Sequence, residues 1–214
     1  MSMPLLPQWL RIMWAVALAG VLVLHVWHAW SRPGQPRWWH IGHIIMALGM
    51  MGMYLLGMAH PGLYRAGVAL FAVMTVALAT TAVVFRRREH VLNPLWVASA
   101  VDTLAMTYML LPYAAQPAGV RWIFIAYLAC QILAWALGLW DRVAVLQPAL
   151  PPILPVPTTG VTASTGRVQA VAPATAIPAQ SGDRVVGLTA HCTPAIRVSL
   201  AVMAASMAYM LAVM

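Results

Sequence analysis

Three hydrophobic stretches repeat one spacing of potential metal donors. They are Met46, Met50 and Met53; Asp102, Met106 and Met109; and Met203, Met207 and Met210. Each triple stands at i, i+4, i+7, so on a helix it occupies one face over roughly 10 Å of rise. His43 extends the first face by one turn. Thioether sulfur selects soft ions such as copper(I), and imidazole accepts copper, zinc, iron and nickel. The pattern describes a methionine-lined interior capped by histidine. Asp102 is a carboxylate well inside an apolar segment, where an ionisable group is costly and marks a functional site by default.

Six of the seven histidines gather toward one side of the apolar segments: His25, His28, His40, His43, His90 and His191. His25/His28 and His40/His43 are i, i+3 pairs, so each pair shares a helix face. A short turn joins their two helices, which makes them antiparallel neighbours. Counted inward from that turn, His25 and His43 reach similar depth, and Asp102 lies about two turns inside from the same side. The candidate metal site therefore comprises His25, His28, His43, Met46, Met50, Met53, Asp102, Met106, Met203, Met207 and Met210. A site of histidines and Asp102 alone would suit iron or zinc as well.

Each of these residues also has a plainer use. Methionine fills irregular gaps in cores. His40, His90 and His191 read as amphipathic end groups at a membrane interface. His60 precedes Pro61-Gly62 and reads as a turn residue. Asp102 has a structural alternative in a hydrogen bond to Ser99, Thr103 or a neighbouring histidine, and a functional one in proton relay. Gln131, Thr75, Thr80 and Thr81 are the remaining polar candidates inside the apolar segments, where small polar groups hydrogen-bond between helices.

The elements that must position these groups are membrane helices. Of 214 residues, 63% are hydrophobic and only 7% charged, and about 20 apolar residues suffice to span a bilayer. Six segments qualify, near residues 9–30, 38–59, 63–85, 95–111, 120–140 and 195–214. The expected fold is an all-α integral membrane protein, a bundle of six transmembrane helices arranged as three hairpins. Five spans fill residues 1–142, and the sixth fills 194–214. Residues 143–193, rich in Pro, Ala and Thr with Pro148, Pro151, Pro152, Pro155 and Pro157 closely spaced, read as a flexible loop with little to bury. The donor triples fall on the second helix of each hairpin.

A net charge of +8 does not signal nucleic acid here. All twelve basic residues are Arg, and most sit in short connections at helix ends, as topology signals do. Connections 1–2, 3–4 and 5–6 hold nine of them: Arg32, Arg37, Arg86, Arg87, Arg88, Arg142, Arg167, Arg184 and Arg197. The opposite side holds Arg11, Arg65 and Arg121. The bias places those three connections in the cytoplasm and both termini outside a cell membrane. The first apolar stretch is too long for a signal peptide and lacks a small-residue cleavage site. Trp9, Trp30, Trp38, Trp39, Trp96, Trp122 and Trp140 lie near helix ends, as in interfacial belts. Cys130 and Cys192 show no metal or disulfide spacing. There is no phosphate-binding Gly-rich loop, no nucleophile elbow, and too few carboxylates for paired-acid chemistry.

The run His43-x2-Met46-x3-Met50-x2-Met53 resembles a signature of an uncharacterised family of small actinobacterial multi-pass membrane proteins. Such proteins are similar in length, in Arg-rich turns and in a C-terminal helix ending in a second Met-rich copy, here Met203 to Met214. Leu200 stands where that copy would begin with His, which weighs against a symmetric two-His site. The resemblance implies a membrane location and a candidate affinity for metal, and no reaction. The functional expectation is binding or passage of copper(I). Its rivals are a copper-, iron- or haem-dependent redox protein and an accessory subunit that docks on a membrane-protein partner. The orientation has a direct test. In a chain freed of Cys130 and Cys192, Gln35→Cys and Arg88→Cys are expected to escape an impermeant thiol reagent in intact cells and to react once the cells are opened.

Overall fold

In a lipid-like setting a helix satisfies its own backbone, so packing is decided by side chains alone. The computed structural model describes residues 7–56, 61–89, 92–143 and 193–213. His60, His90, His191, Cys192, Met214 and nearly all of the Pro-rich segment lie outside the described residues. Six helices follow in order: α1 (Gln8–Ser31), α2 (Gln35–Leu56), α3 (Pro61–Glu89), α4 (Pro94–Met109), α5 (Ala118–Ala136) and α6 (Pro194–Val213), with short 3-10 turns at Tyr113–Ala115 and Trp140–Arg142. Among the described residues there is no strand. All helices except α4 are long and apolar enough to cross a membrane.

Two helix ends depart from the hydropathy reading. α4 has 16 residues because Pro112 disfavours helical geometry at Leu111 and brings no N–H. Gln116 then caps the end, its Nε2 donating to Leu111 O at 2.6 Å and Tyr108 O at 3.1 Å. α5 stops at Ala136 because Gly138 adopts φ +64, the left-handed geometry that closes helices. Leu139 N–H returns to Ala134 O at 2.8 Å, and the chain folds Trp140 back toward α5. At its start α4 is set by Asn93, whose Oδ1 accepts from Leu95 N–H at 3.0 Å ahead of Pro94.

The helices pack as consecutive pairs, α1 on α2, α3 on α4 and α5 on α6. The second members, α2, α4 and α6, touch one another at the centre, and α1 also reaches α6. All six belong to one unit made of residues 1–147 and 187–214. Arginines stitch the first pair at both ends. Arg11 of α1 donates to Tyr54 O and Leu55 O at 2.7 and 3.1 Å, and Arg37 of α2 donates to Ala29 O at 3.0 Å. Each satisfies carbonyls that a helix C-terminus leaves open and meets its negative dipole end.

The core follows from this arrangement. Met46, Met50, Met106, Met109, Met203, Met207 and Met210 are all buried in one cluster with Leu18, Tyr54, Phe71 and Leu128, and Met53 packs half-buried at its edge. Outward residues such as Val16, Val23, Val73, Val76 and Leu133 are exposed and apolar, compatible with lipid. Trp9, Trp30, Trp38 and Trp122 are exposed as a belt requires, whereas Trp39 and Trp96 are buried. A step of one residue turns a helical side chain by about 100°, so Trp38 faces out and Trp39 faces in.

Gly49 admits the Phe71 ring against α2: a Cβ there would stand 2.5 Å from Phe71 Cζ. Gly49→Ala is expected to lower thermal stability in detergent by about 1–3 kcal/mol through overpacking. Phe71→Leu in the same chain should restore part of that loss, which a double-mutant cycle reads as coupling.

Candidate functional site

The turn between α1 and α2 brings two pairs of imidazoles face to face. His25, on the inner face of α1, is buried, as are His40 and His43 of α2; His28 is half-buried one turn beyond His25. The His25 ring lies 5.0 Å from that of His40 and stacks on that of His43 at 5.1 Å and 7° between planes. The His28 and His40 rings are 5.3 Å apart. Trp39 closes the group, 4.2 Å from the His43 ring and 5.0 Å from that of His40. Its indole N–H donates to Ser99 Oγ at 3.0 Å and ties the cluster to α4. Ser199 ties it to α6.

Hydrogen-bond partners assign the ring protons. His28 Nδ1 lies 2.8 Å from Leu24 O and His43 Nδ1 lies 2.8 Å from Trp39 O. A carbonyl only accepts, so both Nδ1 atoms carry hydrogen and both Nε2 atoms are bare. His25 Nε2 lies 3.2 Å from Ser199 Oγ, whose hydroxyl makes a shorter 2.8 Å bond to Ile196 O. The serine spends its one hydrogen there, so His25 Nε2–H donates to it. In the neutral cluster His25 Nδ1 then accepts, and His40 Nδ1–H donates across 2.9 Å. His25 is thus engaged at both nitrogens, while His28, His40 and His43 each keep an Nε2 lone pair. Anchoring Nδ1–H on a backbone carbonyl is how proteins orient ligating histidines.

These assignments redistribute the roles read from the sequence. His25 becomes the organiser of the group, and His40, read as an interface end group, sits at its centre. The signal for His40 was its i, i+3 partnership with His43; depth alone had set it aside. His28 and His43 fall in the cluster as the spacing suggests. Asp102 is joined to Tyr127 of α5, whose hydroxyl lies 3.1 Å from Asp102 Oδ1. Among the described residues it makes no hydrogen bond or ion pair to an imidazole. Tyr127 carried no sequence signal beyond being an aromatic in an apolar helix. Gln131 does not make the interhelical contact expected of it: it bonds Tyr127 Oη of its own helix at 2.7 Å. Thr75 does cross helices, 3.1 Å from Thr103 on α4, while Thr80 and Thr81 bond only their own helix.

Below the imidazoles, Met46 and Met50 follow His43 down the buried face of α2. Met203 and Met207 of α6 share their core cluster. Met106 packs by its methyl group close to Gly49 and beside Phe71. Among the described residues no three His, Cys, Asp or Glu side chains are grouped to hold an ion; the imidazoles contact one another, and ligation through their free Nε2 atoms requires the rings to turn. Comparison with known protein families, curated proteins and solved structures finds no match. The geometry therefore stands on its own chemistry.

The proton assignment is measurable. Nitrogen-15 spectra of histidine-labelled protein, assigned by single substitutions, are expected to show Nδ1–H tautomers for His28, His40 and His43 and an Nε2–H tautomer for His25. Ser199→Ala removes the acceptor of His25 and should perturb the His25 and His40 signals while leaving that of His28.

Proposed function

We propose that this chain crosses the membrane six times and binds and passes copper(I), between an imidazole cluster on the cytoplasmic side and a methionine-lined interior. One observation carries the reading. His43, Met46 and Met50 succeed one another at i, i+3 and i+7 on the buried face of α2, with three bare Nε2 atoms at one end of the cluster they begin. His28, His40 and His43 would take the ion, with His25 holding their orientation. Met46 and Met50, opposite Met203 and Met207, would offer weaker sites further in.

Imidazole and thioether together, with no carboxylate bonded to the group among the described residues, suit a soft ion better than iron or zinc. Successive weak sites suit passage, because the ion must also leave. Rings in direct contact leave no slot for a macrocycle between them, which favours a bare ion over haem. The sixth span is α4, short but packed along α3 and against the central helices. The Arg bias orients the bundle with both ends outside.

Elemental analysis of detergent-purified protein after copper(I) loading, with an absorption spectrum of the same sample, tests the reading. Wild type is expected to hold near-stoichiometric copper. His40→Ala with His43→Ala should lose most of it while eluting as a folded protein. Met46→Leu with Met50→Leu should keep the ion but slow copper uptake by proteoliposomes about tenfold or more, as expected when about 1.4 kcal/mol or more of site energy is lost. A loaded wild type without copper would return the methionines to packing and turn the reading to an accessory subunit. A haem band would turn it to a redox protein.

A further inference from the structure

Asp102 stands apart from the imidazoles, within a second polar network that the copper path leaves unused. It lies on the inner face of α4, between Leu95 and Ser99 on the preceding turns and Met106 and Met109 on the following ones, all of them buried. Asp102 itself is only partly buried. α4 lies along α3 and makes no comparable backbone contact with α5. Tyr127 bridges that space from α5.

Tyr127 Oη has two acceptors within reach, Asp102 Oδ1 at 3.1 Å and Ala98 O at 3.2 Å. It receives a hydrogen bond from Gln131 Nε2 at 2.7 Å, and Gln131 Oε1 in turn receives the Trp140 indole N–H at 3.2 Å. Every donor in this chain points toward Asp102. Amide and indole N–H groups hold their hydrogens too firmly to relay protons, so the chain is a clamp and not a wire. It fixes the Tyr127 oxygen and leaves one hydroxyl hydrogen a choice between two acceptors.

That choice satisfies both protonation states of the carboxyl. When Asp102 is ionised, Tyr127 O–H donates to Oδ1. When Asp102 is protonated, its own O–H donates to the remaining lone pair of Tyr127 Oη, and the tyrosine hydrogen turns to Ala98 O. Each donor keeps an acceptor in both states and no heavy atom moves. Among the described residues no charged side chain pairs with the carboxyl. Among the described residues neither His40 nor His43 of α2, Arg65 nor Arg86 of α3, nor Arg197 of α6 bonds to it; Arg197 pairs instead with Asp141 at 3.1 Å.

The geometry points to Asp102 and Tyr127 as a proton-exchange site of the membrane domain, distinct from the imidazole cluster, at which the Asp102 carboxyl binds and releases one proton. A proton needs one carboxylate oxygen and one hydroxyl; a hard metal cation needs about six oxygen donors. The site uses no metal, and its titration is independent of whether the imidazoles hold copper.

Infrared difference spectra between acidic and alkaline buffer, on metal-free protein in nanodiscs, read the site directly. The chain has only four acidic side chains, so the carboxyl region is sparse. Wild type is expected to gain protonated-carboxyl C=O bands on acidification and lose them reversibly on return. One band, beyond those of Glu89, Asp141, Asp183 and the terminal carboxyl, should be absent in Asp102→Asn. In Tyr127→Phe that band should lie at higher frequency, because the carboxyl has lost its acceptor. A carboxyl region unchanged by pH, or titrating bands identical in wild type and Asp102→Asn, overturns the proposal. If Asp102→Asn does not fold, a band in Tyr127→Phe identical to wild type overturns it equally. Failure of copper binding leaves these spectra as they are, so the two readings fall separately.

Discussion

The apolar interior of the bundle governs the rest of this structure. A polar side chain there finds its partner in another helix or in its own backbone, because the cost of leaving it unpaired is high. The pairings that result define the helix contacts. Trp39 to Ser99 joins α2 to α4, Tyr54 to Ser206 joins α2 to α6, Thr75 to Thr103 joins α3 to α4, and Tyr127 to Asp102 joins α5 to α4. Hydrophobicity supplies little force between helices in such surroundings, since lipid is as apolar as leucine. Close packing of methionines and these few hydrogen bonds hold the central three helices together.

The same constraint separates the polar interior into two networks. One is built of imidazoles between α1 and α2, anchored to α6 by Ser199 and to α4 through Trp39. The other runs from Trp140 through Gln131 and Tyr127 to Asp102. Their chemistry differs. The first offers neutral nitrogen lone pairs above a bed of thioethers, a soft environment. The second offers oxygen with a hydroxyl able to donate either way. The two networks share no hydrogen bond among the described residues, and each has its own helix partners.

Arginine has two uses in this chain. Its bias toward one side of the apolar segments is the statistical mark of orientation. Arg11 and Arg37 add a local one, closing the carbonyl ends of the helix each is paired with. A guanidinium with several donors in a fixed fork is suited to meet more than one carbonyl at once, and Arg11 does so at Tyr54 and Leu55. The antiparallel α1–α2 pair that carries the imidazoles is therefore fastened at both ends, which holds the two histidine pairs at matching depth.

The sequence alone determined that the chain is helical and apolar, where its helices lie to within a few residues, and which second helix of each pair carries methionine on its inner face. Hydropathy and a 3.6-residue period are properties of single segments, so they are legible without the fold. It also singled out His25, His28 and His43, because helical spacing and a short turn between two helices set which rings share a face and a depth. Tertiary structure alone decided the rest. Trp39 and His40 were read as interface residues because both open α2, and only the approach of α1, α4 and α6 buries them. Tyr127 is the partner of Asp102 because the fold brings α5 beside α4 at this level, a relation between segments that no spacing along the chain encodes. Which nitrogen of each histidine is free was settled by its neighbours: local carbonyls for His28 and His43, and for His25 a serine 174 positions away.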